Sequence, residues 1–282
     1  MHASRRIGRF EVIAIVDADM PDEPVADAFP GLRADDLEAA KAEFPGVYTD
    51  DGRWRLRVRA WVIRHETGAL LLDTGLGGSA SPARAWTTET GALREELETL
   101  GIVTADIDTV AITHVHDDHI GGCVDDSGTP ICPNARYVIQ RADVEWLRAH
   151  ARDGEYGASA WRPIGAIEDQ GALDAVDGEH ALARGLTLRH APGHTPGHQV
   201  LIVADGDDRM LLSGDAWNHP LQIAQPDGAS GSDDEPVAAA ASRRALLADL
   251  RDHPGTVVAP THFAEAFGEV RAHADTWTWS AL

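Results

Sequence analysis

The run IDTVAIT at residues 107–113 leads directly into the segment HVHDDHIGG, and this junction restricts the fold more than any other feature of the chain. The apolar run predicts a buried β-strand. Three histidines and two aspartates then fall within positions 114–119. Neutral imidazole and carboxylate are ligands that zinc, iron and manganese accept. The end of a core strand therefore carries either a polar surface turn or a metal-binding cluster.

Short strand-like runs dominate both halves of the chain and have helix-like segments between them. The first half contains FEVIAIVD (10–17), WRLRVRAWVIRH (54–65) and ALLLDTG (69–75), and the second contains GLTLRHA, HQVLIVAD, RMLLSGD and TVVAP. Helical spacing and stop signals predict helices over about 35–44, 87–101, 141–151 and 237–251. We expect two mixed β-sheets packed face to face with helices on the outer faces, in a single domain over residues 1–282.

Two long segments rich in Pro, Gly and Asp, residues 19–52 and 217–236, interrupt this pattern. The first is expected to be a loop with one short helix, and the stretch 226–236 an exposed loop. Loops of this length beside strand ends commonly form the walls of a binding pocket. Substrate selection is therefore expected to depend on these two segments.

The charge balance restricts the partners of the chain. Its 282 residues carry a formal net charge of −22. Such a surface repels nucleic acids and anionic membranes, so a small molecule is the expected partner, and a homodimer stays open. Only Cys123 and Cys132 are present, which excludes a disulfide framework. SRRIGRF at 4–10 resembles a twin-arginine export signal, but acidic residues interrupt the apolar stretch that must follow, so we expect a cytoplasmic protein.

Three further ligand-type residues follow apolar runs in the second half of the chain. His194 lies in APGHTPGH after a strand, Asp215 in LLSGDAWNH, and His262 in VVAPTHF. Each comes one to four residues after its hydrophobic run. All three would therefore project from the same kind of strand end as the cluster at 114–119.

These motifs together resemble the metallo-β-lactamase superfamily. H-x-H-x-D-H is present as His114, His116, Asp118 and His119. DTG at 73–75 precedes it, and GHTPGH, SGD and the terminal TH follow it, all in the family's order. The resemblance covers about residues 10–270 and is strongest to the branch related to acyl-homoserine lactonases and methyl-parathion hydrolase. It implies a four-layer αββα sandwich of α/β class.

The resemblance also implies two divalent transition-metal ions, zinc by default, with manganese, iron or cobalt as alternatives. His114, His116 and His194 would hold one ion, Asp118, His119 and His262 the other, and Asp215 would bridge both. Three neutral imidazoles leave an open position for water, and two nearby ions can share a hydroxide and polarise a substrate oxygen. Asp118 and Asp215 would offset two of the four metal charges.

Several polar residues of these motifs fall outside the seven-ligand set. Asp117 is expected to be a solvated carboxylate or one that orients a ligand histidine, and Asp73 is expected to orient a ligand, with a simple turn aspartate as the alternative. His190 and His198 are expected to be structural.

The expected reaction is hydrolysis of a lactone or carboxylic ester by a metal-bound hydroxide. A glyoxalase-II-like thioesterase or a phosphotriesterase on the same metal site is the alternative, and a single-iron sulfur dioxygenase or a nuclease is disfavoured. Related lactonases carry a tyrosine three residues after the bridging aspartate, where this chain has Asn218.

The residue after Asn218 could take the place of the missing tyrosine. His219 could donate a proton or hydrogen bond to the reacting oxygen, so Asp118 and His219 are the candidate catalytic residues. A structural histidine that anchors the loop is the alternative reading of His219.

Overall fold

The computed structural model describes residues 2–66, 68–273 and 276–282. Within these residues fourteen strands, β1 to β14 in chain order, span Ser4–Ile7, Phe10–Pro24, Arg53–His65, Gly68–Leu72, Ile107–Ala111, Arg136–Gln140, Leu173–Val176, His180–Ala183, Leu186–His190, Gln199–Asp205, Asp208–Leu212, Val257–Ala259, Gly268–His273 and Thr276–Ala281. Eight α-helices, α1 to α8, span Val25–Ala28, Ala34–Glu43, Leu93–Thr99, Asp117–Ile120, Arg141–His150, Gly154–Asp169, Leu221–Ala224 and Pro236–Asp252.

The strands form two seven-stranded mixed sheets. The first has the order β1-β2-β3-β4-β5-β6-β7, with β3 and β4 antiparallel and β4 to β7 parallel. The second has the order β14-β13-β12-β11-β10-β9-β8, in which β11 and β12 are parallel and the pairs β9-β10, β10-β11 and β13-β14 are antiparallel. Two mixed sheets with helices confirm the predicted α/β class.

The chain divides into two compact units. Unit one comprises the residues up to Ala18 together with Val58–His180, and unit two comprises Asp19–Arg57 and Ala181–Leu282. The single domain over residues 1–282 stays a prediction. No helix in the described ranges is both long enough and apolar enough to span a membrane.

Each unit has its own apolar core, built from alternate strand residues and one face of its helices. In unit one, Val110 of β5 and Ile139 of β6 share a cluster with Val144 and Leu147 of α5 and Ile164 of α6. In unit two, the cluster combines residues of β10, β11 and β12 with helix α8 and three aromatic side chains: Val200, Ile202, Leu211, Val258, Leu246, Leu247, Leu250, Trp217, Phe263 and Trp279. Burial of these faces is the dominant favourable contribution to folding.

Several element predictions hold and two are wrong. Helices were expected over 141–151 and 237–251, and the structure has Arg141–His150 and Pro236–Asp252. The segment 19–52 is not mainly loop, because β2 continues to Pro24 and α1 and α2 follow. Residues 226–236 are not uniformly exposed, because Ser230 and Asp233 are buried. Helix α6 was not predicted; its Gly157, Pro163 and Gly165 weaken the helical signal.

The buried carboxylate of Asp17, in β2, holds the turn that follows β4. Its Oδ2 accepts the Leu76 N–H at 2.7 Å and its Oδ1 accepts the Leu93 N–H at 2.8 Å. Burial raises the pKa of Asp17 to about 6, although these hydrogen bonds act in the opposite direction. A Cβ on Gly75 would overlap this carboxylate, and Gly75 also has a φ of +70°. Glycine at position 75 is therefore required both by its backbone conformation and by the close approach of Asp17.

Replacing Gly75 by alanine should destabilise the protein more than the same replacement at Gly101. Gly101 has a φ of +67° but open space where a Cβ would lie, so its alanine variant should cost only the backbone term of about 1–2 kcal/mol. Gly75→Ala adds the overlap with Asp17, worth about 1–3 kcal/mol more. Chemical denaturation of both variants measures the difference, and equal losses would show that the Asp17 carboxylate does not restrict this turn.

Candidate metal-ligand clusters

Unit one brings the four residues of the H-x-H-x-D-H motif together. Strand β5 ends at Ala111, and His116 is the extended residue that precedes the short helix α4. His114 Nε2 lies 3.0 Å from His116 Nδ1, and the rings of His114 and His119 have centroids 4.0 Å apart. Asp118 Oδ2 lies 3.6 Å from His119 Nε2. The strand end and one helical turn thus bring three imidazoles and one carboxylate close together.

The DTG turn orients the imidazole of His119. Asp73 Oδ2 lies 2.9 Å from His119 Nδ1, and Asp73 also accepts the backbone N–H of Thr113 at 2.7 Å and its hydroxyl at 2.9 Å. Because the Thr113 hydroxyl donates to Asp73, its oxygen can accept the Nδ1–H of His114, 3.1 Å away. Thr74 adds two 2.8 Å hydrogen bonds to the carbonyl oxygen of His119. The contact that we expected between Asp73 and a ligand histidine is therefore present.

Asp117 lies in the same helical turn but faces a different neighbour. Its Oδ2 accepts the indole N–H of Trp86 at 3.1 Å, and the residue is buried. Burial therefore contradicts the solvated carboxylate expected for Asp117, while the other reading, a carboxylate that orients a ligand histidine, stays a prediction. Trp86 itself is 45% exposed, so this hydrogen bond joins the turn that carries the predicted ligands of unit one to an aromatic ring at the surface.

Unit two brings together the other three predicted ligands. His194 follows β9, Asp215 lies in the turn after β11, and His262 follows β12. Asp215 Oδ2 lies 3.3 Å from His194 Nε2 and 2.9 Å from His262 Nε2. All three side chains are buried. Three strand ends that are distant in sequence thus place one carboxylate between two imidazoles.

Buried groups of unit two hold the outer nitrogens of these histidines. His194 Nδ1 lies 3.0 Å from Asp233 Oδ1, and His262 Nδ1 lies 2.8 Å from the carbonyl oxygen of Arg57. Sequence reasoning did not find Asp233 or Arg57. Asp233 lies among similar acidic residues, and Arg57 acts through its backbone, which no side-chain pattern reveals.

His198 fixes the backbone of Asp215. It accepts the Asp215 N–H on Nε2 at 3.0 Å, while its Nδ1 lies 3.0 Å from the carbonyl oxygen of Ala191. The Nδ1 atom must therefore carry the proton. This arrangement agrees with the structural role expected for His198.

The electrostatics of unit two favour a positive charge beside Asp215. Burial favours the neutral ring of His194, but the hydrogen bonds to Asp215 and Asp233 outweigh it and raise the pKa of His194 to about 9. Divalent transition metals take the same imidazole nitrogens and carboxylate oxygens as ligands. In both units, donor type and the hydrogen bonds on the opposite ring nitrogens fit a metal ion.

His219 lies in unit two with both ring nitrogens engaged. Nδ1 accepts the Leu221 N–H at 3.1 Å, so the proton is on Nε2, which lies 3.0 Å from the Tyr48 hydroxyl oxygen. Tyr48 in turn donates to the carbonyl oxygen of Leu37 at 2.9 Å. Burial lowers the pKa of His219 to about 3, so the ring is neutral at physiological pH. The geometry favours the structural alternative for His219.

The two segments expected to form pocket walls contact each other within unit two. Gly31 donates its N–H to Ala229 O at 3.2 Å, and Gly231 donates its N–H to Ala28 O at 2.8 Å. Gln225 also donates to Asp36 at 2.9 Å. Residues 25–48 and 217–231 thus form one connected layer with His219 and Tyr48 inside it.

Replacing His219 by asparagine should change how stability depends on pH. The unfolded chain binds a proton at His219 as pH falls through about 6.5. The folded ring stays neutral to about pH 3. The stability gained by burying this neutral ring is therefore complete above pH 6.5 and is lost as pH falls toward 3. Relative to His219→Asn, the wild type should lose about 2 kcal/mol of unfolding free energy between pH 7 and pH 5.

Tyr48→Phe is the matched control for that measurement. It removes the hydroxyl partner but keeps the ring that covers His219, so the pH slope of the wild type should remain because burial is its cause. Identical slopes in the wild type and His219→Asn, measured by denaturation at each pH, would show that His219 is not held neutral.

Comparison with known proteins agrees with this arrangement. The family model for the metallo-beta-lactamase superfamily matches residues 53–262. An N-acyl homoserine lactonase of a Bacillus species is 28% identical over 175 residues, covering 57% of this chain and 64% of the lactonase. An acyl-coenzyme A thioesterase of Bos taurus is 28% identical over 172 residues, covering 56% of this chain and 58% of the thioesterase. The chain thus spans less than two thirds of the length of these relatives.

Solved structures extend the likeness to the whole chain. The dizinc quorum-quenching lactonase AidC, solved with a product, superposes with a TM-score of 0.85 at 22% identity, covering 100% of this chain and 97% of AidC. The hydrolase AbOPH gives a TM-score of 0.85 at 18% identity with the same coverage. At these identities the likeness shows the fold, and it confirms the predicted αββα sandwich. Because the family model covers most of the chain and the motifs lie in the expected order, this chain belongs to the metallo-β-lactamase superfamily.

Proposed function

We propose that the chain is a metal-dependent hydrolase that cleaves a lactone or a carboxylic ester. One observation carries the proposal: the seven predicted ligands form two buried or part-buried groups of imidazole and carboxylate, four residues in unit one and three in unit two. Neither group alone supplies the ligands of two ions. The single domain over residues 1–282 is kept as part of this proposal.

The proposed ligand sets follow the family order. One ion would be held by His114, His116 and His194, a second by Asp118, His119 and His262, and Asp215 would contact both. Zinc is the expected metal. When bound, two such ions act as Lewis acids toward a carbonyl oxygen and lower the pKa of water to near neutrality.

The residues around the ligands prepare them for this chemistry. Asp73, Asp233 and the carbonyl oxygen of Arg57 each occupy the Nδ1 side of a ligand histidine. The Nε2 atoms of His119, His194 and His262 are then the atoms that can bind a cation. Asp118 remains a candidate catalytic residue as a ligand beside the reacting atoms, whereas the engaged ring nitrogens of His219 remove it from the proposed mechanism.

The charge of the chain favours a neutral substrate. A formal charge of −22 raises the cost of bringing an anion to the surface, which weighs against an acyl-coenzyme A thioester. Lactones and simple esters carry no such penalty. The thioesterase relative keeps thioester hydrolysis as the second candidate function. The segments 19–52 and 217–236, which contact each other, are proposed to select the acyl and alcohol groups.

The zinc-loaded protein should hydrolyse lactones or aryl esters with a kcat/KM at least about tenfold above that for matched thioesters and phosphotriesters, which requires about 1.4 kcal/mol of discrimination. Initial rates on a panel with equal acyl chains measure this preference. The control is the same protein after chelation, which should be inactive and should recover with zinc. If a thioester is the best substrate, lactone or ester hydrolysis is rejected and thioester hydrolysis becomes the favoured function.

Replacing Asp215 by alanine should remove metal and activity together, because it is the one residue proposed to contact both ions. Elemental analysis should give about two metal ions per wild-type chain and fewer than one in the variant. Asp207→Ala, in the exposed turn after β10, is the matched control and should keep both ions. Two retained ions with full turnover in Asp215→Ala would contradict the bridging role.

A further inference from the structure

The segment before helix α8 contacts His194 and the preceding Gly193 through three successive residues. Asp233 Oδ1 lies 3.0 Å from His194 Nδ1. The next residue, Asp234, donates its N–H to His194 O at 3.0 Å, and Glu235 donates its N–H to Gly193 O at 2.8 Å. One short stretch of chain therefore fixes both the backbone and the ring of a single proposed ligand.

Asp233 is itself held by a buried arginine from helix α8. Arg243 Nη1 lies 3.2 Å from Asp233 Oδ2, and both side chains are at most 1% exposed. Asp233 Oδ2 also accepts the Ser230 N–H at 3.0 Å. Arg243 Nε donates to the carbonyl oxygen of Pro226 at 2.6 Å. The guanidinium thus joins the start of the loop to the carboxylate near its end.

This arrangement determines which atom of His194 carries a proton. Asp233 Oδ2 already accepts hydrogen bonds from Arg243 and Ser230, so the carboxylate is oriented with Oδ1 toward the imidazole. A carboxylate oxygen can only accept, and therefore His194 Nδ1 must donate. When a cation replaces the second ring proton, the remaining proton is held on Nδ1, on the side away from Asp215, and Nε2 is the ring atom that would bind the cation.

We propose that Asp233 and Arg243 form a positioning pair that fixes His194 as the Nδ1–H form and so determines the affinity of one of the two metal positions. This inference rests on the proposed function, since it assigns the pair to the metal site. It also gives the loop at 226–236 a role in metal binding in addition to substrate selection.

The substitution Asp233→Asn tests whether residue 233 must accept hydrogen bonds on both sides of its side chain. Asparagine keeps the shape, but an amide oxygen turned toward His194 would direct the NH2 group at the donors of Arg243 and Ser230. Arg243→Met keeps most of the buried stem and removes the charge, and Arg243→Lys restores a charge without the second hydrogen bond to Pro226.

Asp249→Asn is the matched control in the same unit. Asp249 accepts hydrogen bonds from Arg189 at 2.8 Å and from Arg209 at 2.7 Å. It forms ion pairs with these two arginines and with His253, and none of the three is a proposed ligand. Its replacement therefore disrupts an arginine–carboxylate network of the same kind and measures the general cost of doing so.

Two readouts of the full-length protein test the proposal. Zinc affinity is measured by competition with a chelator, and Asp233→Asn should bind one of two zinc ions about 10- to 100-fold more weakly, whereas Asp249→Asn stays at the wild-type value. Arg243→Met should weaken zinc binding as Asp233→Asn does, and Arg243→Lys should recover part of the lost affinity. In 15N-labelled protein, the slowly exchanging Nδ1–H proton of His194, assigned by its loss in His194→Gln, should be present in the wild type and absent in Asp233→Asn.

The outcomes separate this inference from the proposed function. Zinc affinity of Asp233→Asn within twofold of Asp249→Asn, or a retained Nδ1–H proton, would overturn the positioning pair even if the wild type is an active zinc enzyme. A wild type that binds no zinc would overturn the proposed function and the positioning pair together.

Discussion

Hydrogen bonds to the outer nitrogens of buried histidines are the interaction on which this structure depends. An imidazole taken out of water loses its solvent partners, and an unpaired polar atom in that position costs about 1–3 kcal/mol. Here His119, His194 and His262 each find a partner on Nδ1, from Asp73, Asp233 and the backbone of Arg57. Each bond also fixes the orientation of the ring, so the same contacts that offset the cost of burial orient the histidines for the proposed role as ligands.

These partners explain why the scaffold has its particular connections. Asp73 follows the short core strand β4 and is carried by a turn that the Asp17 carboxylate holds from β2. Asp233 comes from the loop before α8 and is held by Arg243 within that helix. Elements distant in sequence thus converge behind the ligands. The proposed ligands need only follow a strand, whereas the residues that hydrogen-bond to them are positioned by the fold of the whole unit.

The grouping of the proposed ligands within each unit could be predicted from the sequence, because each follows an apolar run by a few residues and the family motif orders them. The fold class was also accessible, since helices such as Arg141–His150 and Pro236–Asp252 carry clear signals. His219 shows the limit of this reasoning. Its position four residues after Asp215 suggests that the two residues are close, but it does not show which way the imidazole points. Its partner Tyr48 lies 171 residues away in the chain. Asp233 was hidden for a similar reason, since only the fold distinguishes it from the acidic residues beside it.

The central claim is that the seven proposed ligand residues hold two metal ions, and anomalous diffraction from a crystal of the zinc-loaded protein tests it most directly. Data collected at the zinc absorption edge should show two anomalous peaks. One should lie against His114, His116 and His194 and the other against Asp118, His119 and His262, with Asp215 in contact with both. A single peak, or peaks that lie against other residues, would contradict the account.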